Sequence, residues 1–264
     1  MTSSFIAACV QLCGRTDPAA NRDDAVRLIR EAAARGARYI QTPEISNLVD
    51  RDRDRMMPHL FPEESDPMLA AFQTLAHELN VTLHAGSLSI KAGDKVANRA
   101  FVIGASGDIL ARYDKIHLFD VDLPNGETWR ESNTFTGGQD AVVVTQPFAS
   151  VGLSICYDVR FPYLFRALAD HGATVLTAPA CFTKQTGEAH WSVLQRARAI
   201  ENGAFMISAA QAGRHEDGRE TYGHSIIVDP WGRVLAEGDD RPGLIFAEID
   251  MNAVTEARAR IPAL

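Results

Sequence analysis

Three side chains that could together perform acyl transfer are spread along this 264-residue chain: Glu44, Lys115 and Cys156. A thiol with an ordinary pKa near ~8.5 is mostly protonated at neutral pH, so a nucleophilic cysteine needs a base or a neighbouring cation. A carboxylate accepts the thiol proton and later activates water, whereas an ammonium stabilises the thiolate and the oxyanion formed on attack. Taken singly, each residue also fits a plainer interpretation, a structural thiol or a solvated surface charge.

The elements predicted around these residues place each of them at the end of a strand. Cys156 follows an apolar run at 151–155 and precedes a helix that begins at Pro162. Glu44 follows a short predicted strand at 38–42, and Lys115 follows one at 109–113. A strand-to-helix turn presents backbone N–H groups, which lower the pKa of a thiol and can receive an oxyanion.

The rest of the chain alternates strand-like and helix-like segments, which predicts an α/β protein whose sheets are covered by helices. Asp17-Pro18 and Asp66-Pro67 are helix-start signals, and 188–202 is predicted to be a helix. That helix is predicted to bury Val193, Leu194, Ala197 and Ile200. No linker or repeat divides the sequence, so we predict one domain over 1–264, with a long functional loop at 114–140.

Composition excludes several classes of partner. The formal net charge is −8 and the basic residues are scattered, which argues against nucleic acid and anionic membranes as partners. No apolar run approaches the ~20 residues of a membrane span, and the first residues lack the positive charge of a signal peptide. We therefore predict a cytosolic location. The four cysteines form no CxxC pair, which argues against a disulfide framework and a zinc site.

Read in context, the three residues resemble the motifs of a known superfamily. Glu44 in TPEIS, Lys115 in RYDKIHLFDVD and Cys156 in GLSICYDVRFP are similar to the Glu, Lys and Cys motifs of nitrilase-like carbon–nitrogen hydrolases, and they occur in the same order. The similarity continues in GEAHWSVLQRARAIENGAF and YGHSIIVDPWGRV, so it covers almost the whole chain.

The resemblance implies a four-layer α-β-β-α sandwich, a Glu-Lys-Cys triad and no metal or organic cofactor. It also implies a second catalytic carboxylate, for which Glu131 is the better match and Glu127 the alternative. A homodimer or a higher homo-oligomer is implied as well, with the C-terminal segment 250–264 as a possible contributor.

Several further residues are predicted to contact the substrate. The backbone N–H of Tyr157 is positioned to share the oxyanion with Lys115. Arg160 is suited to a bidentate contact with a substrate carboxylate, although a structural salt bridge is an equal alternative. Cys181 and Thr183, at the end of a predicted strand, and His190 at the start of a helix complete the candidates.

Within the superfamily, the long match through residues 113–132 most resembles the branch of deaminated glutathione amidase and omega-amidase. The resemblance implies hydrolysis of a small carboxylate-bearing amide through a thioester, with deaminated glutathione giving 2-oxoglutarate and cysteinylglycine. Omega-amidase activity on 2-oxoglutaramate is the close alternative, and hydrolysis of N-carbamoyl amino acids, aliphatic amides or nitriles is more distant. A non-catalytic interaction module on the same fold is the alternative from a different class.

Overall fold

A computed structural model describes residues 4–123 and 126–264. The strands of the first half are β1 (Ser4–Gln11), β2 (Tyr39–Gln41), β3 (Thr82–Ala92), β4 (Lys95–Ile103), β5 (Ile109–Asp114), β6 (Asp120–Asp122), β7 (Thr128–Arg130) and β8 (Phe135–Thr136). Those of the second half are β9 (Val143–Thr145), β10 (Ser150–Gly152), β11 (Val175–Thr177), β12 (Phe205–Ser208), β13 (Ala212–Arg214), β14 (Glu220–Tyr222), β15 (Ile226–Val228), β16 (Val234–Glu237) and β17 (Gly243–Asp250). The helices are α1 (Pro18–Ala34), α2 (Arg53–Met56), α3 (Pro67–Leu79), α4 (Pro162–Asp170), α5 (Lys184–Asn202) and α6 (Asn252–Arg260).

The longer strands form two sheets. One sheet has the order β17-β1-β2-β3-β4-β5, with β8 paired to β4, and the other has the order β16-β15-β12-β11-β10-β9. In each sheet the central strands are parallel, β1-β2-β3 and β10-β11-β12. The other neighbours in each order are antiparallel, whereas β8 pairs with β4 in parallel. Parallel neighbours end at the same edge of a sheet. Residues that follow β2 therefore lie at the edge where the parallel strands of the first sheet end, and residues that follow β10 lie at the corresponding edge of the second sheet.

Alternating side chains of β1 show how the layers stack. Ala7 and Cys9 belong to a core shared with Leu176 and Ile207 of the other sheet. Ala8 and Val10, which point the opposite way, pack in a second core that contains the apolar faces of α1 and α3. Helices α4 and α5 contribute to the first core from the other side. The predicted α-β-β-α sandwich is confirmed.

The helix-start signals have the structural basis expected of them. The side chain of Asp17 accepts hydrogen bonds from the backbone N–H groups of Ala19 and Ala20, and Asp66 does the same for Met68 and Leu69. In both helices proline occupies the first turn, where its missing N–H costs nothing.

The prediction for α5 was wrong in two respects. The helix begins at Lys184, four residues earlier than predicted, and two of the four residues of the predicted stripe are exposed, although Leu194 packs against the core. Val193 and Ile200 are 67% and 52% exposed, whereas Gln195, Arg198 and Asn202 are buried. Polar side chains can face inward here because they find partners, for example Arg198 Nε donating to the carbonyl of Val159 at 2.8 Å.

No helix in the described ranges is both long and apolar enough to cross a membrane. The single domain over 1–264 stays a prediction, and residues 1–3 and 124–125 of that span lie outside the described residues.

Candidate active site

Glu44 lies just beyond β2 and is almost fully buried. The close approach of three backbone segments fixes this turn, because a Cβ atom at Gly86 would lie 2.0 Å from the carbonyl oxygen of Thr42 and 2.5 Å from Pro179 Cβ. Oε1 of Glu44 accepts from Lys115 Nζ at 2.8 Å, and Oε2 accepts from the backbone N–H of Cys181 at 2.7 Å. The carboxylate is therefore held in one orientation.

Lys115 follows β5 and is 2% exposed. Its ammonium donates to Glu44 and to both oxygens of Glu131, at 3.0 Å and 2.8 Å. Glu131 begins a single 3₁₀ turn after β7 and also accepts from the backbone N–H of Phe119 at 2.6 Å. Glu127 instead accepts from the indole of Trp129 at 3.4 Å. The geometry thus favours Glu131 over Glu127 as the second carboxylate.

Cys156 begins a 3₁₀ helix, Cys156–Arg160, that connects the end of β10 to α4. Its φ is +50°, a left-handed conformation that costs a residue with a Cβ roughly 1–3 kcal/mol. The backbone N–H of Cys156 donates to the carbonyl of Pro179 at 2.9 Å, which stabilises the strained turn. Cys156 and Glu44 line the same cavity, and the Glu44 carboxylate helps to raise the pKa of the thiol.

The charges of these groups are set by burial and by one another. Burial raises the pKa of Cys156 and the adjacent Glu44 carboxylate raises it further, well above the ordinary 9.0. Burial opposes ionisation of Glu44, but contacts with Lys115, Cys156 and Asn98 outweigh it and lower the pKa below 4.5. Burial also opposes protonation of Lys115, yet Glu131 and Glu44 hold its pKa well above 10.5. At neutral pH the site contains a neutral thiol beside an ionised base.

Asp158 connects the lysine and cysteine segments. Its fully buried carboxylate accepts from the Tyr113 hydroxyl at 2.6 Å and from the backbone N–H of Ile155 at 2.9 Å. The other oxygen accepts from the backbone N–H of His117 at 3.0 Å and lies 2.6 Å from His117 Nδ1. One carboxylate therefore ties the residues on either side of Lys115 to the residue that precedes Cys156.

These groups lie in a cavity of about 690 Å³. Its walls carry five aromatic rings, those of Phe119, Trp129, Phe135, Tyr157 and Phe182. They also carry four arginines: Arg51, Arg53, Arg130 and Arg219. A cavity of this size and character suits an organic anion of moderate size. Among the described residues, no three His, Cys, Asp or Glu side chains are grouped to hold a metal ion.

The predicted substrate contacts fall into two groups. Tyr157, Cys181 and Thr183 line the cavity, and the backbone N–H of Tyr157 has no acceptor within the described part of the chain. Arg160 and His190 do not line it. The guanidinium of Arg160 lies 5.3 Å from the ring of Phe182, which does line the cavity, and 3.3 Å from His190 Nδ1. Substrate contacts by Arg160 and His190 stay predictions, and no salt bridge of Arg160 is found among the described residues.

Sequence reasoning missed two residues of this cavity. Asn98 is a buried amide inside the apolar strand β4, and its Nδ2 donates to Glu44 at 2.9 Å and Glu131 at 3.2 Å. The available signal was weak, because Lys95 and Arg99 are also polar residues of this strand. Arg219 lies in the turn between β13 and β14, a hairpin that was not predicted because its strands are only three residues long.

Comparison with known proteins agrees with this geometry. The family described as carbon–nitrogen hydrolase matches residues 6–259. The chain is 40% identical to deaminated glutathione amidase of Synechocystis sp., over 98% of this chain and 97% of that protein. Identity to the human deaminated glutathione amidase is 38%, over 98% and 80%. The Caenorhabditis elegans NitFhit crystal structure superposes with a TM-score of 0.90 at 34% identity, covering 98% of this chain but 64% of NitFhit, which is longer.

Proposed function

Because the chain belongs to the carbon–nitrogen hydrolase family, we propose that it is a cysteine-dependent amidase that converts deaminated glutathione to 2-oxoglutarate and cysteinylglycine. The observation that carries the chemistry is the buried ion pair of Glu44 and Lys115 at 2.8 Å, in a cavity that Cys156 also lines. The neutral thiol and the ionised carboxylate favour general-base activation during attack over a preformed thiolate.

In the first half of the reaction, Glu44 accepts the thiol proton as Sγ bonds to the amide carbonyl carbon. The carbonyl oxygen becomes an oxyanion, which Lys115 and the backbone N–H of Tyr157 stabilise. Glu44 then transfers its proton to the leaving amine as the carbon–nitrogen bond breaks. A thioester on Cys156 and the free amine remain.

In the second half, Glu44 accepts a proton from a water molecule as that water attacks the thioester carbon. The same two donors hold the second oxyanion, and the carbon–sulfur bond breaks as the proton returns to the thiolate. Glu131 keeps Lys115 protonated and oriented through both halves, since its carboxylate contacts the ammonium with two oxygens. One base and one oxyanion site thus serve both additions.

The size and charge of the cavity support the larger substrate. Deaminated glutathione is a tripeptide-sized dianion, whereas 2-oxoglutaramate is less than half as large and would leave much of about 690 Å³ unfilled. Arg51, Arg53 and Arg130 line the cavity and are 50%, 44% and 45% exposed, which supports a contact with the carboxylate of a departing dipeptide. Omega-amidase activity remains the alternative because both substrates share the 2-oxoglutaryl group.

A substrate panel tests this proposal. We expect kcat/KM for deaminated glutathione to exceed that for 2-oxoglutaramate by more than about 10-fold, because only the former contacts the outer arginines. N-carbamoyl amino acids, pentanamide and pentanenitrile complete the panel, with product release followed by chromatography. The reverse order would favour an omega-amidase, and no turnover of any member would favour a non-catalytic binding module.

We further propose that the chain forms a homodimer through the face containing α4 and α5. Apolar side chains exposed there and nearby are Tyr163, Val193, Ile200, Trp231, Ile261 and Leu264, at 63%, 67%, 52%, 58%, 58% and 50%. Hydrogen bonds from two arginines connect the parts of this face. Arg166 donates to the carbonyls of Glu201 and Ala263, and Arg196 Nε donates to the carbonyl of Gly232 beside Trp231. A patch of this kind marks a protein interface.

We expect light scattering after size exclusion to give twice the chain mass of 28.8 kDa. Val193→Glu should shift the protein to the monomer, because a carboxylate in an apolar interface would be buried without a partner. Leu110→Glu is the control, since Leu110 is 47% exposed on β5. A wild-type monomer, or a dimer unaffected by Val193→Glu and Trp231→Glu together, would exclude this interface. The cytosolic location stays a prediction.

A further inference from the structure

Arg219 is a mostly buried arginine that the proposed chemistry does not use. It lies in the turn before β14 and lines the same cavity as Cys156, with 13% of its side chain exposed. Nε donates to Oδ2 of Asp217 at 2.7 Å, and the backbone N–H donates to Oδ1 of the same carboxylate at 3.1 Å. Because the Asp217 side chain is completely buried, it fixes the direction of the guanidinium.

The remaining N–H groups of Arg219 have little to bind. Nη1 lies 4.0 Å from the sulfur of Cys181, at the outer limit of a weak contact, and no oxygen acceptor for Nη1 or Nη2 exists among the described residues. A buried guanidinium normally satisfies its donors, since leaving them unpaired costs free energy. Donors left open toward a cavity are the arrangement expected of an anion-binding residue.

The local charge balance also favours an anion. Asp217 neutralises one positive charge, but Arg51 is a second cation, with Nε 4.0 Å from the same carboxylate. Both guanidinium groups lie against the ring of Trp129, at 5.2 Å for Arg219 and 5.5 Å for Arg51. The trio of Asp217, Arg219 and Arg51 therefore presents one net positive charge to the cavity.

Arg219 lies close to the reacting groups. Cys181 touches it through the sulfur, and the backbone N–H of Cys181 binds Glu44 at 2.7 Å. A single residue thus separates the guanidinium from the proposed base. Arg51, Arg53 and Arg130, in contrast, are about half exposed.

We propose that Arg219 binds the carboxylate of the acyl group and so makes the enzyme prefer amides whose acyl chain ends in a carboxylate. This inference rests on the proposed amidase function. The acyl group must stay in place through both halves of the reaction, whereas the amine leaves to solvent and water replaces it. The buried arginine suits the group that stays, and the exposed arginines suit the group that departs.

Two substrates that differ at the acyl terminus, and one that differs at the amine, test this assignment. Glutaramate and pentanamide both release ammonia, but only glutaramate carries an acyl carboxylate, while pentanoylglycine carries its carboxylate on the leaving amine. Arg219→Gln should lower kcat/KM for glutaramate about 10- to 100-fold, the worth of a charge-assisted hydrogen bond. Pentanamide and pentanoylglycine should change less than about threefold.

Arg214→Gln is the matched control, because Arg214 is exposed on the same hairpin and does not line the active-site cavity. Arg219→Lys should recover only part of the glutaramate activity, since a lysine lacks the planar bidentate fork. An equal loss on glutaramate and pentanamide, or a loss confined to pentanoylglycine, would overturn the assignment.

A binding measurement separates this inference from the proposed function. Glutarate should raise the melting temperature of Cys156→Ala but not that of Cys156→Ala/Arg219→Gln. If wild type hydrolyses no amide yet glutarate stabilises only the protein with Arg219, the amidase proposal fails and the carboxylate site stands. If glutarate stabilises both variants equally, the site is wrong whatever the activity.

Discussion

Replacing Cys156 with alanine is expected to lower kcat by at least about 10⁴-fold on every amide that wild type hydrolyses. Two other thiols are poorly suited to replace it. Cys9 is fully buried in the core between the sheets, where burial raises its pKa far above the ordinary 9.0, and burial raises the pKa of the cavity-lining Cys181 to about 12. Removing a nucleophile leaves only the binding and electrostatic contributions of the site, as in other covalent enzymes. Steady-state assays of purified protein measure the loss.

The fold of this variant should be intact, because alanine removes one sulfur from a cavity wall. Both cysteine and alanine carry the strain of φ +50° at this position, whereas glycine does not. Cys156→Gly should therefore be at least as stable as Cys156→Ala by thermal denaturation, and equally inactive. Cys181→Ala is the control for a cavity-lining thiol, and it should retain activity. Substantial turnover by either Cys156 variant would refute the nucleophile.

The sequence predicted the family and the layered fold correctly. Both predictions depend on signals that are local in the sequence. Asp17-Pro18 and Asp66-Pro67 mark helix starts because capping involves residues two or three apart. The α5 stripe was partly wrong because Val193 and Ile200 are exposed while Gln195, Arg198 and Asn202 are buried beside Trp191, a mixture that a pattern of apolar residues does not predict.

The same distinction between local and long-range signals applies to the residues of the active site. Glu44, Lys115 and Cys156 each follow a strand, so their approach to one cavity follows from the sheet order, although their catalytic roles stay predictions. Arg160 was singled out from the sequence because it is near Cys156, and Arg219 was not considered. Arg219 reaches the cavity only through the β13–β14 hairpin and through Asp217, contacts that no periodicity encodes. Long-range polar contacts of this kind can be identified only from a structure.

Replacing Lys115 with methionine is expected to lower kcat/KM by about 10²- to 10³-fold, the usual cost of losing one oxyanion donor. It should also destabilise the protein by about 3–5 kcal/mol at pH 7, because the change leaves two buried carboxylates without their cation. Glu44 and Glu131 already share Asn98 as a donor, so their charges would face each other at short range. Lys184→Met is the control, since its exposed pair with Glu220, at 3.7 Å, should contribute less than about 1 kcal/mol.

The pH dependence of stability gives this prediction its sharpest test. In wild type the pKa of Glu44 is below its ordinary value of 4.5, so the stability it contributes is present at neutral pH and declines as pH falls through that lowered pKa. Without the ammonium, burial and the neighbouring like charge should raise the carboxylate pKa above the unfolded value instead. Lys115→Met should then gain stability as pH falls from 7 toward 5, where wild type is nearly unchanged.

Denaturant unfolding of both proteins at pH 5, 6 and 7 measures this difference. Adding Glu131→Gln to Lys115→Met should restore part of the lost stability at pH 7, because one carboxylate then remains and no like charge opposes it. That double variant should stay as inactive as the single one, since the donor to the oxyanion is still missing. The contrary outcome is a destabilisation that is the same at all three pH values and unaffected by Glu131→Gln. It would show that Lys115 stabilises the fold through packing and not as the cation that allows two neighbouring carboxylates to be ionised.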